Sequence, residues 1–259
     1  MMMNVNVPPP AGLAQLVSCY DGQHQAAVRF RVPSWRQALA SCPENVTSLL
    51  VDDRYTTACV SEPYCLLGDR TATRARVRSA CQAMDLNDPE DVLQCFVLVM
   101  AWGSGTTGSR GLRNTARALT DPDAAAKTLA GSARLLREAR VAGGALRQAH
   151  QEFRLRGVGQ SFFTKWFSYV GFAPERAWNP LILDSRVLAT LNQTLQIRTQ
   201  TMAGNRRRAV RYASYVEHLY RWADELTTPE SPVDGERLEW IMFEHNGKPL
   251  PPTSDTNRS

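Results

Sequence analysis

Two glycines that bracket one valine, Gly157-Val158-Gly159, stand between a basic run and an aromatic run, each with helical spacing. A chain so punctuated turns sharply and re-enters a helix at once. Glycine reaches φ > 0 without a Cβ clash and lets another backbone come close. The pattern predicts a helix-hairpin-helix over 153–172. Its second helix starts near Gln160 and buries Phe162, Phe163, Trp166, Phe167 and Val170, which recur at three- and four-residue intervals. The start of that helix offers backbone N–H groups, which can cradle a phosphate. Taken alone, the two glycines fit an ordinary loop equally well.

Ser161, Lys165 and Ser168 share a stripe of the same helix. The commonest fate of a single lysine is a solvated one on the open side. After Pro174 and Asn179-Pro180, the apolar run Leu181-Ile182-Leu183 leads to Asp184. Helical periodicity resumes in Ser185-Arg186-Val187-Leu188-Ala189. Asp184 is therefore a helix N-cap, a role sufficient to account for it.

Earlier in the chain, Asn87-Asp88-Pro89-Glu90-Asp91 and Asp121-Pro122-Asp123 are helix starts, with proline and acids in the first turn. The first opens an apolar central helix that runs into a Gly-rich loop from Trp102 to Gly111. That loop lacks the lysine and spacing of a P-loop. Arg134, Arg137, Arg140 and Arg147, then Arg154 and Arg156, form either a phosphate-facing stripe or a solvated face. Ala27-Val28-Arg29-Phe30-Arg31-Val32 and Ser48-Leu49-Leu50-Val51 alternate as strands do, and Trp35 to Leu39 reads as helix. Asp52-Asp53-Arg54-Tyr55 reads first as a turn with local ion pairs and second as a metal or substrate contact. From about Thr71 the pattern is helical, through Arg206-Arg207-Arg208 and a Tyr-rich helix to residues 236–243. Residues 1–10 and 249–259 read as tails.

With 259 residues and 43% hydrophobic content, the chain can build a large core. A net charge of +5 suits an anionic partner. The N-terminus lacks the features of a secretory signal. The longest apolar run, 95–103, is too short to span a bilayer, so no membrane association and a cytoplasmic location are expected. The six cysteines lie between Cys19 and Cys95 without a C-x-x-C pair. They are expected to be reduced, mostly buried thiols, with no metal and no cofactor.

The order of turn, helix, connection and Asp-opened helix resembles the helix-hairpin-helix DNA glycosylases. Gly157-Val158-Gly159 stands in place of their hairpin, and Leu183-Asp184-Ser185-Arg186-Val187 in place of their aspartate segment. The chain is most similar to the 8-oxoguanine glycosylase-like branch, where G-x-G-x-S-F-F-T-K and L-I-L-D occur together. The resemblance implies a mainly α, two-lobed helical glycosylase fold. The expected divisions are an N-terminal cap at 1–66, a core at 67–247 and a tail at 248–259.

The resemblance further implies a monomeric DNA N-glycosylase, a hydrolase that flips a base out of double-stranded DNA and leaves an abasic site. Asp184 and Lys165 would be catalytic. Arg156, Gly157, Val158, Gly159 and Ser161 would contact DNA, and Trp102 would stack on the extruded base. Arg156 departs from the hairpin proline of the family. Ser161 occupies the position at which bifunctional members carry their lysine, and Lys165 follows one turn later. That displacement favours simple base excision over excision with lyase activity. The resemblance implies oxidised guanine or a hypermodified, glucosylated phage cytosine as substrate, the latter implying antiviral defence. A non-catalytic DNA-binding module is the alternative.

Overall fold

The computed structural model describes residues 6–59, 65–106 and 109–252. In chain order, α1 (Leu13–Ser18) precedes β1 (Val28–Arg31), α2 (Val32–Ala38), a 3-10 helix (Glu44–Leu50), β2 (Thr57–Ala58) and β3 (Asp69–Ala72). The helices α3 (Arg74–Ala83), α4 (Pro89–Ser104), α5 (Ser109–Ala118), α6 (Pro122–Glu138), α7 (Ala142–Glu152) and α8 (Gln160–Val170) follow. Then come α9 (Ser185–Ala189), a π turn (Thr190–Thr194), α10 (Thr199–Ala203), α11 (Arg208–Leu226) and α12 (Gly235–His245). The protein is mainly helical, as the periodicity predicts. It divides into one compact unit of residues 24–183 and a second made of 1–23 with 184–259.

In the first unit, α4 is the central element. Every residue from Cys95 to Trp102 is buried, which is why its sequence is apolar on all sides. Asp88 accepts from Glu90 N at 2.9 Å and Asp121 from Ala124 N at 3.0 Å, so α4 and α6 start where the acid-proline signals place them. α4 packs against the 3-10 helix, α5, α6 and α8. The sheet is antiparallel with order β1-β3-β2, pairing Val28 with Ala72 and Thr57 with Thr71.

Here several expectations are corrected. Ser48 to Leu50 lie in a 3-10 helix, because Val46, Leu49 and Leu50 must all face the core within one short turn. Thr71 lies in a strand, and helix begins only at Arg74. The Gly-rich stretch is mostly helical: α4 continues through Ser104, Gly105 closes it at φ 60°, and α5 starts at Ser109. Thr107 and Gly108 lie outside the described residues. Asp52 and Arg54 pair at 2.6 Å, and Arg70 pairs with Asp53, as a turn with local ion pairs should. Cys59 and Cys65 form a disulfide, and Cys19 and Cys42 are half-buried, so only Cys81 and Cys95 match the expected buried thiol.

In the second unit, α11 buries Tyr212, Tyr215, Val216, Leu219 and Trp222 and packs on α10 and α12. The N-terminal stretch from Val7 is held: Val7 O accepts from Arg221 Nη2 at 2.9 Å and from Trp222 Nε1 at 3.0 Å. Pro251 O accepts from Gln15 Nε2 at 2.7 Å. Both expected tails are thus anchored where they are described; residues 1–5 and 253–259 lie outside the described residues. Among the described residues, no helix is long and apolar enough to cross a membrane.

Candidate active site

Between α7 and α8 the chain turns at Gly157-Val158-Gly159. Gly157 has φ 81°, and a Cβ there would stand 3.3 Å from Asn114 O and 3.4 Å from Arg117 Cβ. Both the left-handed backbone and the close approach of α5 demand glycine. Gly159 differs. At φ −84° it precedes α8, and a Cβ there would meet nothing within 4 Å. Its lack of a side chain leaves open space in front of the helix start.

The turn closes by Val158 N donating to Leu155 O at 3.2 Å. Gly159 O accepts from Phe162 N at 2.9 Å and Phe163 N at 3.0 Å. The Val158 amide is thereby used within the turn. The N–H groups of Gly157, Gly159, Gln160 and Ser161 donate to no described residue. Orphan donors at a helix start with open space before them can accept an anion. Arg156 is exposed beside it and Ser161 is half-buried.

α8 then buries almost everything it carries. Phe163 stacks with Phe153 and Phe167, Trp166 meets Phe96 edge-on at 5.8 Å, and Trp166 Nε1 donates to Ser132 Oγ at 3.1 Å. Lys165 is buried as well, at 7% exposure, which sets aside the alternative of a solvated lysine. Its Nζ donates to Ser161 O at 3.0 Å and lies 5.9 Å from the centroid of the Phe162 ring. Its stem crosses α4 at Gly103. A Cβ on Gly103 would stand 3.0 Å from Lys165 Cε and overlap Cδ. Gly103 carries no signal in the sequence beyond its place in a Gly-rich stretch, and only the packing of α4 on α8 shows its use.

Trp102 precedes Gly103 on the same helix. It is 5% exposed, meets Tyr169 edge-on at 5.1 Å and lies under the Arg74 guanidinium at 5.8 Å. Its Nε1 is buried without a partner among the described residues. Trp102, Gly103, Lys165 and Tyr169 thus form one packing layer between α4 and α8.

The segment after α8 is fixed from two sides. Arg176 donates to Trp178 O at 2.7 Å, Leu136 O at 2.8 Å and Ala139 O at 3.0 Å, and its guanidinium covers the Trp178 ring at 3.9 Å. Thr164, fully buried, donates to Gln160 O at 2.8 Å and accepts from Leu183 N at 3.1 Å. The residue before Lys165 therefore holds the residue before Asp184.

In the other unit, Asp184 caps α9 as expected. Its Oδ1 accepts from Arg186 N at 2.9 Å and Val187 N at 3.2 Å, and the residue is 6% exposed. Of the arginines that could form a phosphate-facing stripe or a solvated face, two are engaged within the fold. Arg134 donates to Leu86 O and Asn87 Oδ1, and Arg137 to Val170 O and Cys81 O. Burial pulls the Arg137 guanidinium below its usual range. Among the described residues, no cluster of His, Cys, Asp or Glu could hold a metal ion.

A family model described as "Putative 8-oxoguanine DNA glycosylase OGG-like protein" matches residues 21–243. No curated protein and no solved structure matches the chain.

Proposed function

From the chain's membership of the OGG-like 8-oxoguanine DNA glycosylase family, we propose that it extrudes a damaged base from duplex DNA and cleaves the N-glycosidic bond, with Lys165 as nucleophile and Asp184 as the carboxylate. The burial of Lys165 carries this reading. Burying a lysine to 7% residue exposure costs desolvation that a solvated position would avoid. A nucleophile needs such shielding, because a buried amine stands ready without a hydration shell to shed.

Three tasks follow from the chemistry. Extruding a base costs about a few kcal/mol, which backbone grip must offset. The orphan amides of Gly157, Gly159, Gln160 and Ser161, with Arg156 beside them, fit that task. Cleavage builds positive charge on the sugar, which the carboxylate of Asp184 offsets. Its cap geometry engages Oδ1 with two backbone amides, and those bonds fix the orientation of the carboxyl group.

The bond-breaking step balances as a substitution at C1′. The lone pair of Lys165 Nζ forms a bond to C1′ while the bond from C1′ to the base nitrogen breaks. The bonding pair leaves with the base, which gains a proton, and the amine loses one. Ring opening then gives a Schiff base, which water hydrolyses to an abasic site or which eliminates the 3′ phosphate. Oxidised guanine is the substrate class.

The test is base release from duplexes containing 8-oxoguanine beside glucosylated phage DNA, with borohydride present to trap a covalent complex. Trapping that is lost in Lys165→Gln supports the lysine. Base release that persists in Lys165→Gln without trapping transfers the nucleophile to water. No release from either DNA leaves a binding module.

A further inference from the structure

We propose that the outer face of α5 is a DNA-backbone clamp beside the hairpin, in which Arg110, Arg113 and Arg117 neutralise phosphates of one strand. This rests on the reading that the protein acts on duplex DNA. It assigns contacts that the hairpin alone does not supply.

The three arginines are spaced by three and four residues and so share one helix face. All three are exposed, and none of their guanidinium groups makes a hydrogen bond or ion pair with a described residue. The opposite face fixes their direction. Gly111, Thr115 and Ala118 are buried, and the absence of a side chain at Gly111 makes room for Ser104. Elsewhere in this unit arginines are spent on structure, as Arg70, Arg134, Arg137 and Arg176 show.

Exposed arginines on a helix usually mean a solvated face. Two observations decide otherwise here. First, no aspartate or glutamate occurs in residues 92–120 or 153–174, the segments that carry α5 and the hairpin. Ordinary surfaces intersperse both signs, and a field of one sign suits an anionic partner. Second, the two segments meet. Asn114 O and Arg117 Cβ lie 3.3 and 3.4 Å from where Gly157 would carry a Cβ. The arginine face therefore starts where the orphan amides of the hairpin end.

The dimensions agree with a strand of DNA. From Arg110 to Arg117 the helix rises about 10 Å. One strand of B-DNA carries about three phosphates over that axial length.

The experiment measures binding of the full chain to unmodified duplex DNA by fluorescence anisotropy across a series of salt concentrations. Each arginine that neutralises a phosphate contributes about 0.9 to the slope of log Kobs against log salt. The triple variant Arg110→Gln, Arg113→Gln, Arg117→Gln is expected to lower the slope by up to about 2.7, and Arg113→Gln alone by about 0.9. An unchanged slope in both variants, with native circular dichroism, overturns the proposal. Base release is scored separately. A lowered slope without base release from any DNA removes the glycosylase chemistry and leaves this surface standing. Base release with an unchanged slope removes this surface alone.

Discussion

The stem of Lys165 occupies the space that a side chain on Gly103 would take: a Cβ there would overlap Cδ and stand 3.0 Å from Cε. The glycine lies in the last turn of α4, where α8 lays a lysine across it.

Gly103→Ala should therefore separate stability from activity. Alanine gains about 0.5–1 kcal/mol of helix propensity over glycine, while the overlap costs about 1–3 kcal/mol unless the lysine moves. A shift of the flexible lysine stem relieves the clash most cheaply. The expected result is a midpoint of unfolding within about 1 kcal/mol of the parent and a fall of about tenfold or more in borohydride trapping. A Gly103→Ala protein with full trapping would show that the position of Lys165 is not critical.

Asp184→Asn and Asp184→Ala should part company. Asparagine caps a helix about as well as aspartate, so Asp184→Asn should melt near the parent while losing the charge that offsets the sugar cation. Single-turnover base release should drop by at least about 100-fold. Asp184→Ala loses the cap too and should be less stable by about 1 kcal/mol. Base release at the parental rate in Asp184→Asn would reduce the residue to a cap.

The two hairpin glycines should respond oppositely to alanine. At Gly157, φ 81° and the Asn114 carbonyl at 3.3 Å make the change destabilising by about 1 kcal/mol or more. At Gly159 the backbone is ordinary and the space open, so Gly159→Ala should leave stability the same or raise it by about 0.5 kcal/mol. The methyl group would stand in front of the orphan amides, so affinity for duplex DNA should fall. Denaturant unfolding and anisotropy, run on both variants, check the pair.

Thr164→Val keeps the shape of a buried side chain and removes the acceptor of Leu183 N–H. A buried donor left without a partner costs about 1–3 kcal/mol, and urea unfolding should show it. Thr164→Ser, which retains the hydroxyl, should recover most of the loss. Equal stability of the valine variant would mean that Leu183 N–H finds another acceptor.

The sequence by itself determined the elements whose cause is local. Helix starts at Asp88 and Asp121, the left-handed Gly157 and the cap at Asp184 were legible because capping and φ > 0 depend on a few adjacent atoms. The aromatic face of α8 was legible from its period. Tertiary structure decided which side chains are free to act. Arg134 and Arg137 resemble Arg110 and Arg113 in sequence, yet the first pair donates to carbonyls brought from distant segments and the second does not. The sequence left Lys165 either a solvated lysine or a nucleophile, and its burial follows from α4 offering a glycine to its stem. Local patterns reflect interactions among neighbours in the chain, whereas burial and charge pairing depend on partners that only the folded chain brings near.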